Sequence, residues 1–177
     1  MDQKLSQRRE RLQVRRALIN ELHFTHANMT RLLRAIAPRE SNGRLGALLR
    51  DQLAHDQRAQ RAVTDLGMDL GSPPGPCVCA ESEAVLEVVH HADRVDRDVA
   101  RRDLGIVDAL REARVFIIRR WGALLDGVER EQGDGPMFDR ILSLQANEAD
   151  SHRDLVRISG ILNDDLSGGP WKRSARA

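Results

Sequence analysis

The sequence predicts an all-α protein whose core is a bundle of four long helices. Aromatic residues make up only 3% of the 177 residues, whereas Leu, Ala, Arg and Glu are abundant, and this composition favours helices over sheets. Four long segments repeat apolar residues every three or four positions, as one face of a helix does. Stretches rich in Gly and Pro separate those segments and divide them into two pairs.

The first two predicted helices are joined by a short turn. Residues 3–37 form the first helix, which ends before Pro38, and residues 42–67 form the second, which ends at Gly67. The stretch PRESNG (38–43) supplies the turn, with Ser41 as the expected N-cap. The apolar stripes consist of Leu18, Leu22, Met29, Leu33 and Ile36 on the first helix and Leu45, Leu48, Ala59, Ala62 and Leu66 on the second.

The second pair of long helices has the same form. Residues 103–130 and 137–163 form these helices, and EQGDGP (131–136) forms the turn between them. We expect one domain over residues 1–166 and a flexible tail over 167–177. The stripes consist of Val107, Leu110, Ile117, Trp121, Leu124 and Val128 on the third helix and Ile141, Leu155, Ser159 and Leu162 on the fourth.

A long connection joins the two pairs. The stretch GSPPGPC (71–77) cannot be helical, and a short amphipathic helix follows it. Short turns produce antiparallel neighbours, whereas a connection of about 35 residues is long enough to run the length of a bundle. The sequence therefore predicts a ferritin-like topology of two helical hairpins joined by a long crossover. The predicted stripe of the crossover helix consists of Val85, Val88, Ala92, Val95 and Val99.

Polar residues interrupt each of the four long stripes near its middle. His26 precedes the first turn by as many residues as His55 follows it, so the two side chains should lie at one level of the bundle. Long polar side chains inside a bundle are unfavourable unless they bind each other or an ion. We therefore expect a polar layer where ferritin-like proteins hold their metals. The interrupting residues are His26, Gln52, His55, Arg114, Gln145, Glu148 and His152.

Several stretches resemble the bacterial YciE/YciF-type ferritin-like stress proteins, from about residue 21 to residue 155. The loop from Gly67 to Cys79 is similar to the family's cysteine-bearing crossover. The resemblance implies a ferritin-like fold and a role in stress, and it leaves the biochemical activity open. The stretches that match the family's four helices are ELHFTHANMTRLLRAIA (21–37), LGALLRDQLAHDQRAQRAV (45–63), RDLGIVDALREARVFIIRRWGALL (102–125) and LQANEADSHRDL (144–155).

The ligand positions implied by this resemblance carry different residues in this chain. His26 stands where the family's first-helix ligand, usually Glu, belongs, and Gln52 and His55 stand where a His and a Glu form a pair. Arg114 replaces the third-helix Glu. A guanidinium group cannot ligate a metal, so we expect that no di-iron centre forms. The family's fourth-helix carboxylate region contains Glu148 and His152.

Three interpretations of the polar layer remain open. In the first, a single Zn²⁺, Fe²⁺ or Mn²⁺ ion is bound by His26, His55, Glu148 and His152. In the second, no metal is bound: Arg114 pairs with Glu148, and the histidines satisfy each other and the neighbouring glutamine. In the third, the helices are rotated and some of these groups reach solvent.

Other polar residues are expected outside the layer. Asp51 and Asp56 border the second stripe and are assigned to solvent rather than to a supporting role beside His55. The adjacent His90 and His91 point to different faces of the crossover helix, which favours the surface for both. Two cysteines cannot form a disulfide framework, and we expect free thiols in a loop at Cys77 and Cys79.

The net charge and the lengths of the apolar runs limit which partners and which cellular location we expect. The net charge of +1 argues against a nucleic-acid binder, and no apolar run approaches the length of a membrane span or a signal peptide. We expect a cytoplasmic protein without nucleic-acid or membrane partners. We also expect a homodimer, because long bundles with exposed apolar flanks commonly pair. The candidate contacts are Val88, Val89 and Val95.

Two classes of function fit these observations. The first is a stress-related helical bundle with a degenerate metal site and a mainly structural or interaction role. The second is a metal-binding protein that acts as an oxidase or peroxidase or handles metals. The missing carboxylates favour the first class, and the sequence leaves open whether the protein is an enzyme.

Overall fold

The structure is a computed structural model that describes residues 2–39, 43–77, 79–95, 98–132 and 135–167. These residues form helices and connecting turns, with no strand among them. The expected N-cap Ser41, part of the second turn (133–134) and the tail from 168 to 177 lie outside the described residues. The elements are α1 (Asp2–Ile36), a 3₁₀ turn (Ala37–Arg39), α2 (Gly43–Asp69), α3 (Ala80–Val95), α4 (Val99–Gln132) and α5 (Pro136–Leu166).

The four long helices pack as two antiparallel hairpins. Helix α1 pairs with α2 and α4 pairs with α5, while α1 also contacts α4 and α2 contacts α5. Helix α3 lies in the long connection and packs against α4 and α1. This arrangement confirms the predicted ferritin-like bundle with a crossover and a short extra helix. No helix in the described ranges is long and apolar enough to cross a membrane.

Helix α2 ends two residues later than the sequence predicts, at Asp69 instead of Gly67. Gly71 has a φ of 64°, the left-handed conformation that glycine adopts without strain. Its N–H donates to the Met68 carbonyl (3.0 Å), and the Ser72 N–H donates to the Gly67 carbonyl (2.7 Å). These two bonds form a Schellman motif, which satisfies the last carbonyls of the helix.

The loop after α2 folds back against α1 and α2. A Cβ atom on Gly67 would lie 2.8 Å from the Ser72 carbonyl oxygen and 3.1 Å from Cγ2 of Ile19, so only glycine permits this close approach. Further along, the Gly75 N–H donates to Oδ1 of Asn20 (2.9 Å). Because of these contacts, α3 begins beside the middle of α1.

The predicted apolar face of α3 is only partly correct, because Ala92 packs against the core but Val88 does not. Val88 is 54% exposed, whereas Val89 and Leu86 are buried against the bundle. Ser82 is also buried, and its Oγ lies 2.6 Å from Oγ1 of Thr25 on α1. Around Leu86 and Val89 the buried face is thus displaced by one residue, or about 100° around the helix, from the predicted stripe. Because Val88 and Val89 are adjacent, the sequence is compatible with burial of either one. Packing against the bundle favours the face that contains Leu86 and Val89.

The stripes of the long helices form the core as predicted, with one difference. On α2, Val63 is buried and the predicted Ala62 is only half-buried. The core consists of two apolar clusters. The upper cluster, near the turn between α1 and α2, is centred on Met29, Leu33, Leu45, Leu49, Ile106 and Leu110. The lower cluster, near the turn between α4 and α5, is centred on Ile19, Leu22, Leu66, Ile117, Trp121 and Ile141.

Candidate functional site

A buried polar layer lies between the two apolar clusters, and Arg114 is at its centre. The side chain of Arg114 is fully buried, on the turn of α4 between Leu110 of the upper cluster and Ile117 of the lower one. The guanidinium group has five N–H donors. These donors meet acceptors on two neighbouring helices, so the layer joins α4 to α2 and α5.

Asp56 and Gln52 on α2 accept most of these hydrogen bonds. The Asp56 carboxylate binds Arg114 through both oxygens, at 2.8 Å from Nη1 and 2.6 Å from Nη2. The side-chain oxygen of Gln52 accepts from Nη2 (2.8 Å) and Nε (3.1 Å) of the same guanidinium. Such two-pronged, charge-assisted pairs are the strongest kind of hydrogen bond between side chains.

Glu148 on α5 completes the shell of acceptors. Its Oε2 accepts from Nη1 of Arg114 at 3.0 Å, as the second interpretation predicts. The same interpretation is wrong about His26 and His55, which bind carboxylates instead of each other or the glutamine. Its Oε1 accepts from Nε2 of His55 at 2.9 Å. Ser151, one turn further along α5, donates from Oγ to the Gln52 oxygen at 2.8 Å. Glu148 on α5 therefore binds Arg114 on α4 and His55 on α2, and so joins three of the four long helices.

His26 contributes to the layer from α1. It is fully buried, and its Nδ1 lies 2.7 Å from Oδ1 of Asp56. An ionised carboxylate only accepts hydrogen bonds, so this imidazole nitrogen donates. The Nε2 of His26 lies 3.6 Å from Oε1 of Glu148, beyond hydrogen-bond distance. The two carboxylates are thus surrounded by donors from α1, α2 and α4.

This environment keeps both carboxylates ionised. Burial acts to raise the pKa of Asp56, but the Arg114 charge and the His26 hydrogen bond outweigh it and hold the pKa at about 2. The pKa of Glu148 is also lowered: burial opposes the shift, and Arg114 and the two histidines more than compensate. Burial by itself would lower the pKa of Arg114, but the two carboxylates raise it, so the guanidinium stays charged.

The expectation that Asp56 faces solvent is wrong. The Asp56 side chain is fully buried and forms the shortest bond to Arg114 in the layer. The signal was present in the spacing: Asp56 follows Gln52 by four residues and precedes Ala59 by three, which places it on the same helical face. By contrast, Asp51, His90 and His91 are exposed as expected.

The remaining predicted site residues fall at the edge of the layer or outside it. His26, Gln52, His55, Arg114 and Glu148 come together, but His152 is half-buried and forms no hydrogen bond or ion pair with any of them in the described ranges. Instead, Ser151 occupies the inward position on α5. Gln145 lies below the layer and donates weakly to the Ile118 carbonyl at 3.4 Å.

The arranged residues do not fit a metal ion. Each carboxylate oxygen of Asp56 and Glu148 already accepts a hydrogen bond from Arg114 or a histidine. A cation at this position would have to displace the guanidinium from both carboxylates, and the guanidinium itself cannot ligate. Among the residues that the structure describes, no three His, Cys, Asp or Glu side chains are grouped to hold a metal.

Comparisons with known proteins identify the fold. No protein-family profile matches the chain, and no curated protein matches it in sequence. Among solved structures, the E. coli stress protein YciF matches with a TM-score of 0.78 and 14% identity over 86% of this chain and 96% of that one. The chain has the YciF fold. YcfI of Rhodopseudomonas palustris, described as a candidate structural protein, matches with a TM-score of 0.71 and 16% identity over 78% and 88% of the two chains.

Proposed function

We propose that this protein is a ferritin-like bundle in which a buried guanidinium takes the place of a metal ion, and that it acts as a structural or interaction protein in stress. The observation that carries the proposal is the set of bonds from Arg114 to Gln52, Asp56 and Glu148. Five N–H bonds use the full donor capacity of the side chain.

The charge of Arg114 explains why the layer is stable without an ion. Two buried carboxylates repel each other and lose their hydration, which is why many bundles of this kind hold divalent cations between them. Here the guanidinium provides the positive charge between Asp56 and Glu148. The donors from His26 and His55 offset part of the remaining negative charge. The layer thus connects the helices as a metal would.

Iron loading tests the absence of a di-iron site. The protein is loaded anaerobically with excess Fe²⁺, exposed to oxygen, and followed by absorption spectroscopy and by counting bound iron. We expect no oxo-bridged absorption band and no tightly bound iron after desalting. Two tightly bound irons per chain would overturn the proposal.

Metal binding by the histidines is the second candidate function. It is supported by the approach of Nε2 of both His55 (2.9 Å) and His26 (3.6 Å) to one oxygen of Glu148. Such a site requires Arg114 to leave Glu148 first. Strong stabilisation of the wild-type chain by added Zn²⁺ in denaturant unfolding would favour this candidate over the metal-free layer.

The association with stress rests on the fold shared with YciF, which is a stress protein. Deletion of the gene in its host, followed by survival assays after oxidative, osmotic and heat stress, tests it. We expect reduced survival under at least one stress and rescue by the wild-type gene. Equal survival under all three would count against this part of the proposal.

Homodimer formation and the cytoplasmic location stay predictions. Val89 is fully buried and cannot contact a second copy as first expected, whereas Val88 remains exposed on α3. The side chain of Val95 lies outside the described residues. Light scattering should give a mass of about twice 19.9 kDa. A monomer mass at high micromolar concentration would reject the dimer.

A further inference from the structure

A groove that is open to solvent lies between α1 and α2. Its volume of about 510 Å³ is within the range of small-molecule sites. The small side chains of Ala27 and Ala35, about two turns apart on α1, leave this space beside the helix. The described residues that line the groove are Ala27, Thr30, Arg31, Arg34, Ala35 and Gln60.

The charges in this groove are all positive. Arg31 and Arg34 are both exposed, and neither forms an ion pair or a hydrogen bond with any side chain that the structure describes. No Asp or Glu is present among the described residues of the lining. A groove whose walls carry charge of one sign attracts ions of the other sign, so the groove favours an anion.

The spacing of the two arginines suits an anion with two charges. Residues three apart on a helix are neighbours, with Cβ atoms about 5–6 Å apart, and like charges at such a spacing repel each other. An anion between Arg31 and Arg34 removes this repulsion and can accept hydrogen bonds from both guanidinium groups. On the other helix, Gln60 can add the N–H donors of its amide.

We propose that this groove binds the phosphate group of a small soluble phosphomonoester. Such a group carries close to two negative charges at neutral pH and has three strong acceptor oxygens, which match the two arginines better than a singly charged carboxylate does. The organic part of the ester lies along Ala27 and Ala35. The site is lined by α1 and α2 and does not include the Arg114 centre, so its failure would leave the structural proposal intact.

Calorimetric titration of the full chain at low ionic strength tests the proposal, with inorganic phosphate, phenyl phosphate and benzoate as probes. At about pH 8, where the phosphate group is a dianion, we expect saturable binding of both phosphates and binding of benzoate that is at least about tenfold weaker. Both phosphates should bind more weakly at about pH 5, where the group loses one charge. No saturable binding of phenyl phosphate at millimolar concentration, or equal binding of benzoate, would overturn the proposal.

Three arginines of α1 supply the matched variants. Arg31→Gln and Arg34→Gln should each weaken phenyl phosphate about tenfold, as expected for loss of a charge-assisted hydrogen bond. Arg16 is exposed on the same helix but does not line the groove, so Arg16→Gln should leave the affinity unchanged. All three positions are exposed, so the variants should unfold as the wild type does. Equal weakening by all three variants would place the anion elsewhere and refute the site.

Vesicle flotation distinguishes a soluble ester from a lipid headgroup with the same phosphate chemistry. The probe is vesicles of phosphatidylcholine that contain phosphatidic acid, and we expect the protein to stay in the soluble fraction. Flotation of the wild type that is lost in the Arg31→Gln, Arg34→Gln double variant would assign the groove to a lipid and contradict a soluble ligand.

Discussion

The side chain of Arg114 is fully buried and donates five hydrogen bonds inside the bundle. A buried charge is tolerated only when partners replace the water that it has lost, and here Gln52, Asp56 and Glu148 do so. Removal of the guanidinium leaves two buried carboxylates without their cation. The decrease in the free energy of unfolding should therefore exceed the contribution of the lost hydrogen bonds, because the stranded carboxylates add a penalty of their own.

Arg114→Met should reduce the free energy of unfolding by about 3–5 kcal/mol, as expected when one partner of a buried ion pair is removed. Denaturant unfolding measures it. The matched control is Arg119→Met on the exposed side of α4, which should change stability by less than about 0.5 kcal/mol. Similar, small effects of both substitutions would show that the layer does not depend on Arg114.

Asp56 should make stability depend on acid. A carboxyl whose pKa is lowered by folding stabilises the protein above its unfolded pKa, and this stabilisation is lost as pH falls through the folded pKa. The pKa of Asp56 falls from 3.8 to about 2 on folding. Roughly 2 kcal/mol should therefore be lost between about pH 4 and pH 2, and the lowered pKa of Glu148 acts in the same direction.

Unfolding of Asp56→Asn across this pH range tests the assignment. The variant should be less stable than wild type at neutral pH and lose less stability between pH 4 and pH 2. Asp51→Asn, at an exposed position on the same helix, should keep the wild-type slope. Parallel acid slopes for wild type and Asp56→Asn would mean that Asp56 does not contribute through ionisation.

The sequence predicts the members of this layer only in part. Five of the interrupting residues meet because each lies at an inward position of a strongly periodic helix. The prediction for His152 is off by one residue, or about 100° around the helix, because the inward position on α5 belongs to Ser151. Asp56 was missed although its spacing from Gln52 and Ala59 places it on the inward face. The residue types do not help to decide, since His and Asp occur both in buried networks and on surfaces.

Among the elements, α3 shows how packing decides what periodicity leaves open. The long helices carry stripes over many turns, and their predicted core positions are buried almost throughout. In α3 only four turns are present, and apolar residues occur in adjacent positions. The contacts of Leu86 and Val89 with the upper cluster then set the register.

A pair of neighbouring valines tests this register. Val89→Ala removes two buried methyl groups and leaves a cavity, so it should reduce the free energy of unfolding by about 2 kcal/mol. Val88→Ala, at a position that is 54% exposed, should change it by less than about 0.5 kcal/mol. A larger effect at Val88 than at Val89 would restore the face predicted from the sequence.

At the scale of the whole molecule, the topology follows from features that are visible in sequence. Pro38 and the Gly- and Pro-containing stretches limit the helices, and the lengths of the connections decide which helices are antiparallel neighbours. The polar layer then divides the core into an upper and a lower cluster. The periodicity of each helix does not predict which charged residues pair, because this depends on how far their side chains extend from one helix to the next.

The metal content of the chain tests most directly whether Arg114 replaces a metal. The protein is purified without chelator, and Zn, Fe and Mn are measured by elemental analysis against protein concentration. Since the oxygens of Asp56 and Glu148 are bound to Arg114 and the histidines, we expect well under one metal atom per chain. One or two tightly bound atoms per chain, lost together with stability on chelation, would contradict a layer held by the guanidinium.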